Sequence, residues 1–327
     1  MALTLPELNA YVTNYVVDKT TDTIYKNSPV LTRLQSKNKE QFRGGLLIQR
    51  PVIVGELNGD FVGRGNTMDT SFVTTDIALT QDMRVAYVSI VLYGWDSMKD
   101  DGPPATFNQV ELKFANASMK MAKLLAVNMY LSAQDTGRGL YLNGFSEIYD
   151  DGNLYPSYGG QTRADIMAIT TPSTVGGLNS YVSTITTFQL SQVQQAYSAA
   201  WFGSEHPDLI ACTPNAHNLV WQALQPAQRY NLPENSDVGI VGFQGFRFNA
   251  ADMVVDKYMP TGTSGVMYGL NTDYIEWYFS TNEKFQFGFT GFKEQSNSID
   301  VAGQFLCGSN LVGTNPRTGF KLLSTLF

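Results

Sequence analysis

Charged residues are scarce in this sequence and are nowhere concentrated. They make up 16% of the chain, against roughly 25% in an average soluble domain. The net charge is -7, and no cluster of lysine or arginine occurs anywhere along the chain. Tight binding to nucleic-acid phosphates is therefore disfavoured, and any contact with nucleic acid is expected to be loose and independent of base sequence.

Histidine is scarcer still, and this leaves little for catalysis. The two histidines, His206 and His217, lie outside any HExxH pattern. Ser204, His206 and Asp208 stand together in one short segment, whereas the members of a catalytic triad ordinarily come from separate segments. We therefore predict that the protein is not an enzyme and has no catalytic residues, no metal site and no cofactor.

Long apolar runs, a basic N-terminal leader and paired cysteines are also missing. No stretch approaches the roughly 18 apolar residues of a membrane-spanning helix, and the first residues include Glu7 but no basic residue. We therefore expect a soluble protein that is made in the cytoplasm and does not bind membrane. Cys212 and Cys307 lie far apart without a CxxC pattern, and we expect both to be buried and unpaired.

Two extended apolar segments are present in the first third of the chain. Residues 46–54 (LLIQRPVIV) and 83–95 (MRVAYVSIVLYGW) flank a polar span rich in threonine, glycine and aspartate. This arrangement favours the two limbs of a long hairpin. The first segment carries apolar side chains on both faces, so other protein must cover both. The low charge and the many tyrosines, phenylalanines and asparagines likewise indicate an outer surface that other protein covers.

A long amphipathic helix is predicted after the second segment. Pro103 and Pro104 suit a first helical turn, apolar residues recur at alternating steps of three and four up to Leu131, and Gly137 supplies a stop. We predict a helix over 105–134, about 45 Å long at about 1.5 Å per residue. Helix and strand signals then alternate and end in strands, which indicates an α+β fold.

The order of these features resembles the major capsid proteins of tailed bacteriophages, the Hong Kong 97-type shell fold. The resemblance is carried along most of the chain by IYKNSPVLTRL, RGGLLIQRPVIV, YGGQTRADIM, VVDKYMP, MYGLNTDYIEWYF and NLVGTNPR, in that order. It implies an N-terminal arm at 1–40, an extended hairpin or E-loop at 41–98 and a peripheral domain at 99–180 with a spine helix at 105–134. It also implies an axial domain at 181–283 and C-terminal strands at 284–327 that return to the peripheral domain.

The resemblance also implies a function in the virion. It indicates a major capsid protein that assembles in the bacterial host cytoplasm as hexamers and pentamers of an icosahedral head shell around double-stranded DNA. In that family the E-loop lies across a neighbouring subunit, which would cover the apolar faces. The implied partners are sister copies, a portal, a separate scaffolding protein, a decoration protein where one exists, and packaged DNA in loose contact.

Two family features are not expected here. Some members join subunits through an E-loop lysine, but residues 40–98 contain no lysine. Some members lose a large N-terminal scaffolding segment, but only about 40 residues precede the E-loop and Met1 is present. We predict assembly contacts on both hairpin limbs, at the tip and at three arginines that could pair with carboxylates of the same or a neighbouring chain. The predicted interface residues are Arg43, Leu46, Ile48, Val52, Val54, Asn58, Asp60, Phe61, Arg64, Arg84, Tyr87, Tyr93, Arg163 and Arg317.

Two other interpretations stay open at this point. An encapsulin-like compartment shell shares the fold, and it would need a cargo-docking pocket that the sequence does not reveal. A β-rich carbohydrate-active enzyme or binding module would fit the aromatic content, although the missing signal peptide and the shortage of histidine disfavour it.

Overall fold

The computed structural model describes most of the chain. The described residues are 28–37, 39–55, 57–94, 103–169, 177–228, 245–262, 265–296 and 299–327, together with Pro6, Asn9 and Val12. Most of the predicted N-terminal arm, and residues 95–98 of the predicted E-loop, lie outside these ranges.

The described residues form both helices and strands. The helices are α1 (Pro29–Lys37), α2 (Pro103–Asn128), α3 (Phe145–Ile148), α4 (Arg163–Ile169), α5 (Leu190–Ala199) and α6 (Pro214–Gln228). The strands are β1 (Lys39–Phe42), β2 (Ile48–Ile53), β3 (Asp76–Gln81), β4 (Arg84–Leu92), β5 (Ser157–Tyr158), β6 (Gln161–Thr162), β7 (Tyr181–Thr184), β8 (Leu209–Cys212), β9 (Gly245–Phe248), β10 (Ala251–Val255), β11 (Val266–Leu270), β12 (Ile275–Ser280), β13 (Gln286–Phe289), β14 (Lys293–Glu294), β15 (Val301–Gly313) and β16 (Phe320–Leu323).

The chain forms two compact units. The first unit comprises residues 1–45, 83–144 and 277–311, and the second comprises 46–82, 145–276 and 312–327. The domain boundaries predicted from the sequence differ from this division, because residues 145–180 and 312–327 belong to the second unit. Sequence order could not reveal this, since strand pairing over long separations decides which segments share a core.

The first unit is built around the long strand β15. Strand β4 pairs with it antiparallel over nine positions, from Val301↔Leu92 to Ser309↔Arg84. Helix α2 packs its apolar stripe on the same unit, where the Phe114 ring meets the rings of Phe289 and Phe292 edge-on at 4.9 and 6.4 Å. Edge-to-face contacts of this kind add to the free energy gained by burying the rings.

The predicted pairing of residues 46–54 with 83–95 is wrong. Strand β2 instead pairs antiparallel with β3, from Ile48↔Gln81 to Ile53↔Asp76, and β4 belongs to the sheet of the first unit. The sequence DIALTQ of β3 is partly polar and merged with the polar span around it, whereas β4 carries the stronger apolar signal. A local pattern shows that a strand exists but does not show which strand it pairs with.

Helix α2 is confirmed as a long helix, but it ends six residues earlier than predicted. It stops at Asn128, whose side-chain amide donates to the carbonyl of Leu124 at 2.6 Å. The residues after it form turns, yet Met129, Tyr130 and Ala133 are still buried. Because buried residues in these turns continue the apolar spacing of the helix, the sequence pattern predicted a helix end that is too late.

The second unit contains a six-stranded sheet with the order β7-β16-β11-β8-β10-β9. Pairing is parallel between β10 and β8 and between β16 and β7, and antiparallel elsewhere. Its core brings together Ile210, Cys212, Met253, Met267 and Phe320, all fully buried. Both cysteines of the chain are free and buried, as the sequence predicted.

Candidate assembly surface

Strands β2 and β3 form an extended hairpin that belongs to the second unit. The ladder continues one step past the strands, where the Val54 amide donates to the Thr75 carbonyl at 2.8 Å. Residues 57–72, which we name the tip loop, contain no helix or strand, and every one of them is exposed. The hairpin therefore ends in a loop that the described part of its own chain leaves in solvent.

Large apolar side chains along this hairpin are exposed to an unusual degree. Six large apolar side chains are exposed by 74% to 103%, although such side chains normally pack inside a protein or against a partner. They are Leu46, Ile53, Leu57, Phe61, Met68 and Phe72. We call these six residues the apolar patch of the hairpin.

Other apolar side chains of the hairpin are covered within the subunit. Ile48, Val54 and Leu79 are 3%, 5% and 1% exposed, and Val52 is half-buried. The prediction that Ile48 and Val54 are interface residues is therefore wrong, because their own chain already buries them. One part of the hairpin serves the fold of the subunit, and the apolar patch is left for a partner.

Hydrogen bonds within the tip loop fix its shape. The Asn58 amide donates to Asp69 Oδ2 at 3.1 Å and to Ser71 Oγ at 2.7 Å. The Asp60 carboxylate accepts from the Phe61 amide at 2.7 Å. The Ser71 backbone amide donates to Asp69 at 2.9 Å, and this bond is the main reason that the pKa of Asp69 is lowered. Asn58, Asp60 and Arg64 are all exposed residues of this tip loop.

Arg50 anchors the hairpin at its base. Its guanidinium forms an ion pair with the carboxylate of Glu276, which is largely buried in the second unit. Such a pair fixes the geometry of β2 more than it adds to the free energy of folding, because the Arg50 side chain is 44% exposed.

Two predicted interface residues, Arg84 and Tyr87, lie on β4 and not on the hairpin, and a third, Tyr93, directly follows that strand. Tyr87 and Tyr93 are exposed, and Arg84 is half-buried. Arg84 and Tyr87 line a groove of about 560 Å³ on the first unit, together with Lys120 and Leu140. These residues belong to the first unit, whereas the apolar patch belongs to the second.

Arg163 was predicted as an interface residue, and this prediction is wrong. Its side chain is 1% exposed and donates to the carbonyl of Tyr155 at 3.0 Å. It also donates to the carbonyls of Asp150, Glu147 and Leu178. Burial lowers its pKa, and the nearby carboxylate of Asp150 opposes that shift. The planar guanidinium therefore donates hydrogen bonds to several carbonyl groups inside the second unit.

The other two predicted arginines lie at or near the surface. Arg43 is exposed. Arg317 is half-buried, and its guanidinium lies 3.5 Å from the centre of the half-exposed Phe202 ring in a cation–π contact. These positions neither require nor exclude an assembly contact, so both stay predictions.

Asp208 and His206, from the segment noted for catalysis, contact other residues. The Asp208 carboxylate accepts from the Thr272 backbone amide at 2.7 Å, and His206 Nδ1 lies 3.0 Å from the Pro207 carbonyl. Within the part of the chain that the structure describes, no three histidine, cysteine, aspartate or glutamate side chains are grouped to hold a metal ion. Among the same residues, no helix is both long and apolar enough to cross a membrane.

Sequence reasoning missed two features of the hairpin. Met68 and Phe72, in the apolar patch, were not among the predicted residues because they lie in a mainly polar span. Leu79 and Thr80, at the base, were missed because the short segment DIALTQ is partly polar and follows that span directly. The pair Gly159-Gly160, next to Arg163 in the sequence, was the available signal that another backbone comes close at this point.

Solved structures share this architecture, although the sequence matches no family model and no curated protein. The chain is similar to the cyanophage A-1(L) capsid asymmetric unit, with a TM-score of 0.64, 12% identity, and coverage of 90% of this chain and 92% of that chain. It is similar to the capsid of a native GTA particle, with a TM-score of 0.57, 8% identity and coverage of 89% and 88%. It is also similar to the holo-SrpI encapsulin complex from Synechococcus elongatus PCC 7942, with a TM-score of 0.55, 7% identity and coverage of 89% and 86%. The fold class predicted from the sequence is therefore confirmed: the chain has the Hong Kong 97-type α+β fold.

Proposed function

We propose that this protein is the major capsid protein of a tailed double-stranded DNA bacteriophage and has no enzymatic role. On this proposal it assembles as hexamers and pentamers of an icosahedral head shell. The observation that carries the proposal is the apolar patch, exposed on a projecting hairpin of a fold whose solved examples include phage capsids. On this proposal the hairpin at 46–81 is the E-loop, which the sequence assigned to 41–98.

The exposed area of the patch supports a role in self-assembly. Burying one large apolar side chain contributes about 1.5–3 kcal/mol, so two exposed phenylalanines, Phe61 and Phe72, can stabilise a contact by several kcal/mol. A closed shell repeats that contact once per subunit, and many weak contacts then hold each copy in place. In a protein that acts as a monomer, keeping these side chains in water would add no stabilising free energy.

A projecting hairpin also suits a shell made from one kind of chain. Rings of five and of six copies require the same surfaces to meet at slightly different angles. A hairpin that ends in an exposed tip loop can absorb such differences while the sheet of the second unit keeps its packing. On this proposal the partners are sister copies first, with a portal, a separate scaffolding protein and loosely contacted DNA around them.

An encapsulin-like compartment is the second candidate, because the fold is also similar to that of an encapsulin complex. The two functions differ in what the shell encloses. The net charge of -7 makes tight binding of the inner wall to DNA phosphates unfavourable in either case, so charge does not separate them. Nucleic acid inside native particles supports the capsid, and enclosed protein cargo supports the compartment.

Electron microscopy of the purified full-length protein tests the proposal. We expect closed shells, or rings of five and six subunits, in negative stain. Expression together with a scaffolding protein from the same source covers the case in which assembly needs it. A monodisperse monomer under both conditions would contradict the proposal.

A further inference from the structure

Two adjacent glycines, Gly159 and Gly160, lie against the base of the hairpin. The Thr80 amide donates to the Gly159 carbonyl at 2.8 Å. Next to it, Gln161 Nε2 donates to the Ala78 carbonyl at 3.1 Å. Leu79, between these two bonds, is almost fully buried. We call Gly159 and Gly160 the glycine latch, because strand β3 is hydrogen-bonded to the chain at this place.

No other residue type fits at either glycine. Their φ angles are +58° and +76°, in the left-handed region that side chains with a Cβ avoid. A Cβ on Gly159 would lie 2.8 Å from Leu79 Cδ2, and a Cβ on Gly160 would lie 2.5 Å from Thr80 Oγ1. Both distances are shorter than van der Waals contact, so a methyl group at either position must displace a side chain of β3, that of Leu79 or that of Thr80.

The latch is itself held firmly within the second unit. It joins β5 to β6, and the Tyr158 hydroxyl just before it accepts from the Gly313 amide at 2.7 Å. Just after it, the Arg163 guanidinium binds carbonyls of the segment 147–155. Lys321 Nζ lies 3.5 Å from the buried carboxylate of Asp150 in the same segment. A clash at the latch will therefore displace the hairpin before it displaces this support.

A small displacement at the base becomes a large one at the tip. If β3 moves by about 1 Å against a neighbouring strand about 4.8 Å away, the hairpin tilts by about 12°. The tip loop begins about eight residues further on, or about 25 Å in extended chain, so the same tilt moves it by about 5 Å. A shift of that size removes the tip from a complementary surface on another copy.

We propose that Gly159 and Gly160 are positioning residues that set the direction in which the hairpin leaves the second unit. Through that direction they set the geometry of the contacts between copies. This inference rests on the proposed function for the assembly step. The latch itself is independent of assembly and can be measured on free subunits.

Gly159→Ala and Gly160→Ala test the proposal against matched controls. Gly203 and Gly262 have similar φ angles of +62° and +71°, and a Cβ on either would meet nothing within 4 Å. Gly203→Ala and Gly262→Ala therefore carry the same backbone strain without the clash. Each variant is studied as the full chain by hydrogen exchange at the Thr80 amide, by thermal unfolding, and by particle yield and diameter in electron microscopy.

We expect the Thr80 amide to exchange at least about tenfold faster in the latch variants than in the controls. We expect the particle yield of the latch variants to fall by a similar factor, or their particle diameter to change. We expect their melting temperatures to equal those of the controls. Adding Thr80→Ala to Gly160→Ala removes the Oγ1 atom that clashes and should restore shells. A subunit that fails only because of the backbone strain of alanine at a φ of +76° would not be rescued in this way, since that strain remains.

Three results separate the possible failures. Equal exchange and equal shells in latch and control variants would overturn the inference. Faster exchange with unchanged yield and diameter would show that the latch does not position the contact, and would overturn it as well. If the unmodified protein never forms shells, the proposed function fails, while the exchange measurement still reports on the latch.

Discussion

Asn58 Nδ2 lies 3.1 Å from Asp69 Oδ2, so a single side chain joins the two ends of the tip loop. The same amide reaches Ser71 Oγ at 2.7 Å. The loop is thus closed on itself above the ladder of β2 and β3, and the strands do not depend on it for their pairing. This separation between loop and strands makes the role of the loop open to direct test.

Deleting residues 58–66 should leave a folded subunit that does not assemble. The deleted residues are all exposed, so their removal exposes no core, and it shortens only a loop. Circular dichroism and thermal unfolding report on the fold, and negative-stain microscopy reports on shells. Replacing the same nine positions by glycine and serine tests whether sequence or length matters. Normal particle yield from both variants would show that the tip loop is not an assembly contact.

Phe61→Ser and Phe72→Ser should separate assembly from stability. Both side chains are fully exposed in the subunit, so the free energy of unfolding should change by less than about 0.5 kcal/mol. Each substitution should weaken the contact between copies by about 1.5–3 kcal/mol, and the double variant should abolish shells. Phe61→Leu keeps most of the apolar area and serves as the control. Assembly of the double variant at the normal protein concentration would contradict the proposal that the apolar patch is an assembly contact.

Arg163→Met should strongly destabilise the subunit. The buried guanidinium binds carbonyls of Tyr155, Asp150 and Leu178, and its removal takes a donor from each of them. We expect a loss of about 3–5 kcal/mol in the free energy of unfolding, measured in urea. Arg43→Met, at an exposed position, should change that free energy by less than about 0.5 kcal/mol. Equal effects of the two substitutions would contradict the internal role of Arg163.

Alkaline pH should destabilise the protein through its two buried thiols. Burial raises the pKa of Cys212 and of Cys307 from 9.0 to about 12. Between these values the unfolded chain has lost the thiol protons while the folded chain retains them, so the free energy of unfolding falls as pH rises above about 9. The fall at pH 10 is about 1.4 kcal/mol for each thiol.

Urea unfolding at pH 8 and pH 10 measures this effect. Burial also raises the pKa of Tyr149 and of Tyr158, and these tyrosines add to the fall at higher pH. The variant Cys212→Ala with Cys307→Ala keeps the tyrosines and should lose most of the difference between pH 8 and pH 10. An equally steep fall in that variant would mean that other groups cause it.

The sequence predicted the fold class and the long helix because both depend on local patterns. The three-and-four spacing of apolar residues that defines α2 can be read within one segment. The partner of β4 could not be predicted, because it is β15, more than two hundred residues later. For the same reason the sequence assigned the return limb of the hairpin to β4 and overlooked β3.

The candidate site was predicted only in part. Ile48 and Ile53 look alike in the sequence, yet the subunit buries the first and exposes the second. The difference depends on which residues the rest of the chain brings to β2 and β3, and that is a property of the tertiary fold. Arg163 was wrongly predicted as an interface residue for a similar reason. In the sequence, an arginine that donates to buried carbonyls cannot be distinguished from a surface arginine.

The central claim is that copies of this chain cover the apolar patch of one another, and Phe61→Cys tests it most directly. The native cysteines are buried, so the new thiol at an exposed position is the one that a maleimide can reach in a folded subunit. The measurement is the extent of labelling in free subunits, in intact shells, and in the same shells after dissociation. We predict full labelling of free and dissociated subunits and protection in intact shells. Equal labelling of intact shells and free subunits would contradict the claim.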